Sequence, residues 1–493
     1  MVNTRPAFKI SVLLTTLIGL GACHLAPEYQ TPATPMAAQY RTDGPWRAAK
    51  PSDQLSRDGW WKIYNDPQLN DLQQRLLINN PDLAAALAHY AQAQAFVTQV
   101  QSGLFPSISG NANGQRDRQS DTRPLRSATA GPEYNSFTLG AEVDYEVDLW
   151  GRVRDSVAAG TDEAQAGKAD LANARLSLQT QLTDSYIRLR GLDQQTQLLK
   201  ESTDAYAKAV NLTEGLHGGG IVSGLDVSRA KTQLSSAKSQ LTQNLAQRAL
   251  MEHAIASLVG ASASEFRVAP NTQAIVLPVV PTGLPSALLQ RRPDIAASER
   301  RIAEANAGIG VARAAFFPTI TLSAQAGYQS DEYAGLLAAP NLFWAIGPSL
   351  VTTLFDAGAR QAGVDIAKAQ TDEAGARYRS VVLGAFQQVE DNLALISGLG
   401  DALKDQHDAA DAAQYSEDLA LARYRQGAVG YLDVVEAQTV ALDSQRSVLD
   451  LQTRQLSANV GLVKALGGGW DTSDLASVAV DPAHGLASTT QSH

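Results

Sequence analysis

Two carboxylates three residues apart, Asp433 and Glu436, are the chain's most suggestive chemical pair. In a helix, that i, i+3 spacing puts both on one face. If the face lines a bore shared by several copies of the chain, the pair becomes stacked rings of acids. If it is only a first helical turn, the acids complement the helix dipole. A second acidic set, Glu142, Asp144, Glu146 and Asp148, alternates with Val143, Tyr145, Val147 and Leu149, and the alternation reaches back to Phe137. Period two means strand. A strand with acids on one face and apolar residues on the other suits a membrane barrel, lipid outside and lumen inside, or a long sandwich strand with a solvated face. The third feature is Cys23, the only cysteine, which excludes internal disulfides and cysteine metal clusters.

Several function classes fall away. The net charge of −10 and the lack of a basic face exclude nucleic acid as an expected partner. There is no GxSxG, HExxH or Walker loop, and the seven histidines are scattered. Gly218-Gly-Gly220 lacks the Lys-Ser/Thr of a phosphate loop. Neither an enzyme nor a metal or other cofactor is expected.

At the N-terminus, Arg5 and Lys9 precede an apolar run from Ile10 to Leu20 and then Leu20-Gly21-Ala22-Cys23, the form of a secretory signal. The segment is similar to the bacterial lipoprotein box. That resemblance implies removal of residues 1–22 and lipidation of Cys23 with three acyl chains, enough for stable anchoring. His24, in place of the Asp that retains lipoproteins at the inner membrane of enteric bacteria, implies the outer membrane.

The elements that must position these residues come in two copies. Pro81 to Pro106 recurs as Pro293 to Pro318, sharing Pro-Asp-x-Ala-Ala at the start and Phe-Pro at the end. Gly220-Ile-Val222-x-x-Leu225-Asp226 recurs as Gly427-Ala-Val429-x-x-Leu432-Asp433, but Arg229 stands where the second copy has Glu436. A repeat this long is a duplicated subdomain, not a solenoid. The expected division is a strap at 23–80, repeat 1 at 81–260, a proline-punctuated linker at 261–292, repeat 2 at 293–468 and a tail at 469–493. Late in the strap, Trp60, Trp61 and Tyr64 suggest a packed aromatic cap over the first helix. Within each repeat a proline-headed helix leads into a β-hairpin, at about 106–149 and 318–355, with the polar tract Gln115 to Glu133 read as loop. Aromatics at the strand ends, Phe105, Trp150, Phe316, Phe317 and Phe355 on one side and Phe137, Tyr328, Phe343 and Trp344 on the other, suggest two interface belts. Proline-free runs follow each hairpin. Leu171, Leu178, Leu192, Leu199 and Tyr206, with Leu182, Leu189 and Val210 offset by four, form a coiled-coil-like seam. The helix predicted over 152–212 spans about 90 Å, and a returning helix over 226–259 should stack end to end with the opening helix. Glycines at 220 and 427 permit the left-handed helix ends of tight reversals. The fold class is an α+β membrane protein with a two-fold repeat of helix, strand, strand, helix. Four strands per chain cannot leave open edges in lipid. Two chains would give eight strands and a filled interior, three would give twelve and a passage.

Leu284-Pro-Ser-Ala-Leu-Leu-Gln-Arg-Arg-Pro-Asp-Ile295, the paired Phe-Pro segments, Asp148-Leu-Trp-Gly-Arg152, Leu354-Phe-Asp-Ala-Gly358 and Arg423-Tyr-Arg-Gln-Gly-Ala-Val-Gly-Tyr-Leu-Asp433 resemble the TolC/OprM-type outer-membrane channel proteins, lipoprotein branch. The resemblance implies a homotrimer with one 12-stranded barrel in outer-membrane lipids, continued by a periplasmic α-helical barrel. It implies the exit duct of a tripartite pump, with a periplasmic membrane-fusion adaptor and an inner-membrane transporter of RND type. It implies that Leu432, Asp433 and Glu436 form a periplasmic constriction held shut by Arg423 and Tyr424. The turns around Gly220, Val222, Leu225, Asp226, Gly427 and Val429 would meet the adaptor. Glu142, Asp144, Glu146 and Asp148 would line the barrel lumen. A passive porin has no need of such long helices, and a periplasmic coiled-coil scaffold no need of lipid-facing strands.

Overall fold

Proline fits the first turn of a helix and ends one from behind, so each Pro-Asp segment starts a helix and each Phe-Pro starts a strand. A computed structural model describes residues 25–33, 59–120, 131–280, 291–472 and 475. Cys23 and the signal segment lie outside the described residues, as do residues 34–58 of the strap and most of the tail. A short 3-10 helix at Trp60–Tyr64 is followed by α1 Pro67–Asn79, α2 Pro81–Gln101, β1 Ser107–Arg118, β2 Glu133–Glu146, α3 Arg152–Gly218 and α4 Gly224–Leu258. After the linker come α5 Pro293–Ala314, β3 Thr319–Ser330, β4 Leu342–Val351, α6 Ala359–Arg425 and α7 Tyr431–Ala465. The duplication is metric as well as topological: α3 and α6 each have 67 residues, α4 and α7 each 35. At 1.5 Å per residue, each long helix spans about 100 Å.

The chain divides into two units. The first combines 90–167, 298–378 and the N-terminal segment to Pro32, and contains one antiparallel sheet in the order β1-β2-β3-β4. Its register aligns like with like. Ile108 pairs with Val143, Val143 with Ala324 and Ala324 with Ile346, while Leu139 pairs with Tyr328 and Tyr328 with Leu342. On the other face Ser109 pairs with Glu142 and Glu142 with Gln325, and Ser107 pairs with Asp144 and Asp144 with Ser323. The apolar face is bare, with Ile108, Trp344, Ile346 and Leu350 all exposed. β1 and β4 are the sheet's two edges.

The hairpin bounds differ from expectation. β1 continues through Arg118 and β2 begins at Glu133, so part of the polar tract read as loop, from Gln115 to Arg118, is strand. The backbone ladder decides this: Gln115 pairs with Ser136, and Arg116 makes an ion pair with Glu133 at 2.9 Å. Polar side chains weaken alternation without weakening backbone hydrogen bonds. At the other end β2 stops at Glu146, which leaves Val147, Asp148 and Leu149 in the turn into α3. β4 stops at Val351, so Leu354 and Phe355 lie beyond it. Two of the belt aromatics have other work. Phe343 lies on the face opposite Trp344 and covers Gly327 and Gly140, where an added Cβ would sit 3.0 and 3.6 Å from its ring. Trp150 stacks on Phe317 at 4.7 Å and donates to the Pro318 carbonyl at 2.8 Å, pinning the β2–α3 turn to the start of β3.

In the same unit the segment after Cys23 lies along α5. Arg313 donates to the Leu25 carbonyl at 2.9 Å, Asn306 to the Pro27 carbonyl at 2.8 Å, and the Tyr29 hydroxyl to the Glu299 carboxylate. Beneath it α3 and α5 share a half-buried acidic cluster: Arg300 contacts Asp162 at 3.6 Å and Gln165 at 3.2 Å, and Glu304 shares a hydrogen bond with Glu163.

The second unit holds the core. Trp60, Trp61 and Tyr64 pack with Leu69, Leu72 and Leu76 of α1 against Leu182, Tyr186 and Leu189 of α3, Ile255 of α4, Leu393 of α6 and Leu462 of α7. The aromatic cap expected over the first helix is therefore real. Asp66 caps α1 by accepting from Gln68 and Leu69 backbone N–H groups, and takes the Tyr186 hydroxyl at 2.7 Å. The seam also holds, with Leu182, Leu189, Leu199, Tyr206 and Val210 buried and Leu171, Leu178 and Leu192 partly so. Asp193 sits between Arg190 and Arg248, 2.6 Å from each. Such a buried ion cluster persists because every charge has an opposite partner.

The expected end-to-end stacking is built by the residue before each proline. Asn80 donates to the Leu258 carbonyl at the end of α4 and accepts from the Leu83 N–H at the start of α2, both at 2.8 Å. Arg292 stands at the matching place before α5 and donates to the Ala465 carbonyl at the end of α7, at 3.1 Å.

Candidate gate at the helical-hairpin turns

In the second unit, α3 and α6 each end two residues before a left-handed glycine, Gly220 and Gly427, both with φ +72°. Around each, the chain closes the same pair of bonds. Gly220 N donates to His217 O and Ile221 N to Leu216 O; Gly427 N donates to Tyr424 O and Ala428 N to Arg423 O, all at 2.8–2.9 Å. This is a Schellman ending, which satisfies carbonyls that a helix terminus otherwise orphans. α3 runs past its expected end at residue 212: it continues through the single Gly215 and stops only at Gly218-Gly-Gly220.

The return helices start differently. Ser223 caps α4: its hydroxyl accepts from Asp226 N at 3.4 Å, while Asp226 accepts from Ser223 N at 3.3 Å, a reciprocal capping box. α4 accordingly begins two residues before Asp226. At α7 the cap is Gly430, which has no side chain, so only half the box exists: Asp433 accepts from Gly430 N at 3.1 Å. Both Asp226 and Asp433 thus do the local work of an acid in a first helical turn. Their neighbours one turn on separate them. Asp226 is 3.5 Å from Arg229; Asp433 has Glu436 at that position, and both, with Leu432, lie on the accessible surface of the turn.

Tyr424 is buried in a small cluster with Val210 of α3, Ala230 of α4, and Tyr431 and Val434 of α7, joining the two hairpins at their turns. Its ring meets that of Tyr431 edge-on at 5.2 Å. Burial raises the Tyr424 hydroxyl above its ordinary pKa, with the charge of Asp226 adding to it, and burial pushes Tyr431 up to about 12. The Tyr424 hydroxyl has no hydrogen-bond partner among the described residues. Arg423 is exposed in the last turn of α6, where a cation suits the helix dipole. Of the predicted turn residues, Leu225 is exposed and Val222 and Val429 are half-buried; the neighbouring Ile221 is exposed as well. Sequence reasoning missed Tyr431; its signal was a second tyrosine where the first repeat has Gly224.

Side chains also link the return helices. Gln233 donates to Thr439 at 3.3 Å and Arg446 to Gln240 at 3.1 Å, while Tyr206 of α3 donates to the Gln438 carbonyl at 3.2 Å.

In the sheet unit the four strand acids separate into two pairs. Asp144 accepts from Ser323 at 2.6 Å, and Glu142 lies between Ser109 and Gln325 in the register. Glu146 accepts two hydrogen bonds from Arg152, at 2.8 and 2.6 Å. Asp148 is off the strand and accepts from the backbone and side chain of Arg154 at 3.0 and 3.2 Å. These last two serve the start of α3, a role set by the turn geometry and invisible in the alternation. No group of side chains that could hold a metal ion occurs among the described residues.

A family model described as outer membrane efflux protein matches residues 72–261 and 284–468, one segment per repeat. The chain is 33% identical over 463 residues to the toluene efflux pump outer membrane protein TtgC of Pseudomonas putida, covering 94% of this chain and 95% of that protein. It is 32% identical over 468 residues to the pyoverdine export outer membrane protein OpmQ of Pseudomonas aeruginosa, covering 93% and 97%. Among solved structures, the outer-membrane channel OprN superposes with a TM-score of 0.83 at 28% identity, covering 91% of this chain and 100% of that one. The open state of the Neisseria gonorrhoeae MtrE outer membrane channel gives 0.80 at 28% identity, covering 91% and 99%. The duplicated sequence, the two-faced sheet and these likenesses converge: the chain belongs to the outer membrane efflux protein family.

Proposed function

We propose that three copies of this chain close their sheets into one 12-stranded outer-membrane barrel and serve as the exit duct of a tripartite efflux pump. The observation that carries this reading is the sheet itself. From Ile108 to Gly114 of β1 and the positions paired with them, its register keeps one face uncharged and largely apolar across all four strands, that face is exposed, and β1 and β4 end it in unpaired edges. Lipid satisfies the apolar face, and only closure with further copies satisfies the edges. The duct is anchored through acylated Cys23, and it takes small molecules from an RND-type inner-membrane transporter through a periplasmic adaptor that meets the hairpin turns. The names of the relatives, toluene efflux and pyoverdine export among them, support small-molecule cargo.

The gate in this reading is the second hairpin turn. Leu432, Asp433 and Glu436 narrow the bore, while Tyr424 and Arg423 hold it shut through bonds to neighbouring helices. Accessible carboxylates at α7 with Glu436 in place of the cation that Arg229 supplies at α4, and a Tyr424 hydroxyl with no partner among the described residues, support that assignment. Planar-bilayer recordings test it: Tyr424→Phe combined with Arg423→Ser should raise the low resting conductance several-fold, and unchanged conductance would refute the gate. In a salt gradient the same membranes should give a cation-selective reversal potential from Glu142, Asp144 and the turn acids. Anion selectivity would remove that assignment.

A further inference from the structure

We infer that Arg292 is a positioning residue that fixes the base of the second hairpin, and that the long helix α6 moves against this anchor when the hairpin turn opens. The inference rests on the gate reading above and adds to it the point from which the motion is controlled.

The two repeats splice their helices differently. In the first, Asn80 is 4% exposed; its side-chain amide joins two ends, α4 and α2, while its backbone N–H closes the end of α1 on the Leu76 carbonyl at 3.0 Å. α3 takes no part in that exchange. In the second, Arg292 is 6% exposed and engages three helices. It donates to Ala465 O of α7 at 3.1 Å, to Gln388 Oε1 of α6 at 3.0 Å, and in a fork to Asp294 of α5 at 3.0 and 2.6 Å. A guanidinium suits this because its donors are planar and fixed, so orienting them costs little freedom per bond. Asp294 supplies the counter-charge a buried cation requires. The carbonyl at the end of α7 adds the negative end of a helix dipole.

The bond to Gln388 has no counterpart at Asn80. It is the contact through which the splice holds the long helix of the hairpin that carries Asp433 and Glu436. One turn further along α6, Asn392 lies where a Cβ on Gly461 of α7 would be only 2.3 Å from its amide oxygen, so the two helices touch closely beside the anchor. A polar cavity of about 160 Å³, lined by Arg292, Gln388, Lys464 and Ser177 among others, adjoins the tie. It gives the Gln388 side chain room to leave Arg292 without a clash. A charge-assisted bond next to a void is a contact that can be made and broken, whereas the Arg292–Asp294 fork and the Ala465 bond keep α5 and α7 joined throughout.

The test uses the full-length lipidated channel in planar bilayers, with four variants. Gln388→Ala removes only the acceptor on α6. Arg292→Asn gives the second splice the residue of the first. Gln388→Glu keeps an acceptor for the guanidinium. Tyr424→Phe with Arg423→Ser opens the turn directly. The expected result is a several-fold rise in mean conductance for Gln388→Ala and Arg292→Asn, restoration of the low level by Gln388→Glu, and no loss of heat stability of the assembled channel for Gln388→Ala. Should Arg292→Asn fail to assemble, Gln388→Ala decides alone. If Gln388→Ala conducts as wild type while the turn variant opens, the inference is overturned. If the turn variant also stays closed, the gate reading fails, and a spin label at Ser416→Cys on exposed α6 then decides the anchor separately: greater label mobility in Gln388→Ala upholds it, unchanged mobility overturns it. Cys23 is the only other cysteine, and its acylation in the proposed duct would leave that label site-specific.

Discussion

At Gly220 and Gly427 the chain reverses through turns with the same φ and the same bond pattern, yet one turn presents an Asp226–Arg229 ion pair and the other Asp433 beside Glu436. Below them, the matching splices carry Asn80 and Arg292. The backbone of a tight reversal admits few solutions, because carbonyls at a helix end must find donors and a left-handed residue is tolerated mainly in glycine. Both copies therefore keep the turn. Side chains that meet water or another copy have no such constraint, and there the copies diverge. Function in a duplicated chain is to be sought where identical backbones carry different charges.

The largest effects should come from breaking what the copies share. Gly260 and Gly467 follow α4 and α7 with φ +66° and +87°, and an added Cβ would lie 2.3 Å from Asn79 O and 1.9 Å from Arg291 O. Alanine at either site combines strain with a backbone collision, roughly 2–5 kcal/mol. Gly260→Ala and Gly467→Ala should both abolish the heat-modifiable oligomer on gels, the second more completely because its contact is closer.

An intermediate effect should come from erasing a difference. Glu304 stands on α5 where α2 has Gln92. Burial, then the charge of Glu163 and their shared hydrogen bond, raise Glu304 to about 7, with Arg301 opposing and Asp162 adding to the rise. Asp162 itself is raised to about 6, by burial against the pull of Arg300. A carboxyl raised on folding binds its proton more tightly in the folded state, so stability falls as pH rises from the ordinary carboxylate range through about 7. Heat stability should therefore be higher at the acid end of that window. Glu304→Gln should flatten most of the slope and leave the Asp162 part near pH 6. An unaltered slope in the variant would show that the cluster titrates elsewhere.

The smallest effects concern the caps. Ser223→Ala removes a side-chain acceptor and should cost about 0.5–2 kcal/mol of local helix stability. Gly430→Ser, whose φ of −79° any residue adopts, should add a few tenths of a kcal/mol by completing the half box with Asp433. Hydrogen exchange of the first-turn amides of α4 and α7 should move in opposite directions. If both slow or both quicken, the caps are not what distinguishes the turns.

Much of this architecture was legible in the residues. Pro81 and Pro293 marked helix starts, Phe-Pro marked strand starts, and the alternation from Phe137 onward found β2. The features that sequence reasoning missed escaped it for definite reasons. Polar β1 residues such as Gln115 and Arg116 gave no period-two contrast, although their backbone pairs as well as any. Phe343 sat among belt aromatics by composition, and only the register put it on the opposite face over two glycines. Asp148 counted as a fourth strand acid until the turn into α3 placed it beside Arg154.

The sequence alone determined the repeat, the element types and the acidic and glycine positions of the turns, because these follow from periodicity, proline and glycine stereochemistry within a few residues of chain. Only the tertiary structure decided that Tyr424 packs on Tyr431, that Asn80 and Arg292 are equivalent splices, and that Arg292, unlike Asn80, reaches the long helix of its repeat. The splice contacts join residues far apart in sequence, the tyrosine pair closes across a chain reversal, and in both the partners are set by which helix ends meet, a property no local pattern encodes.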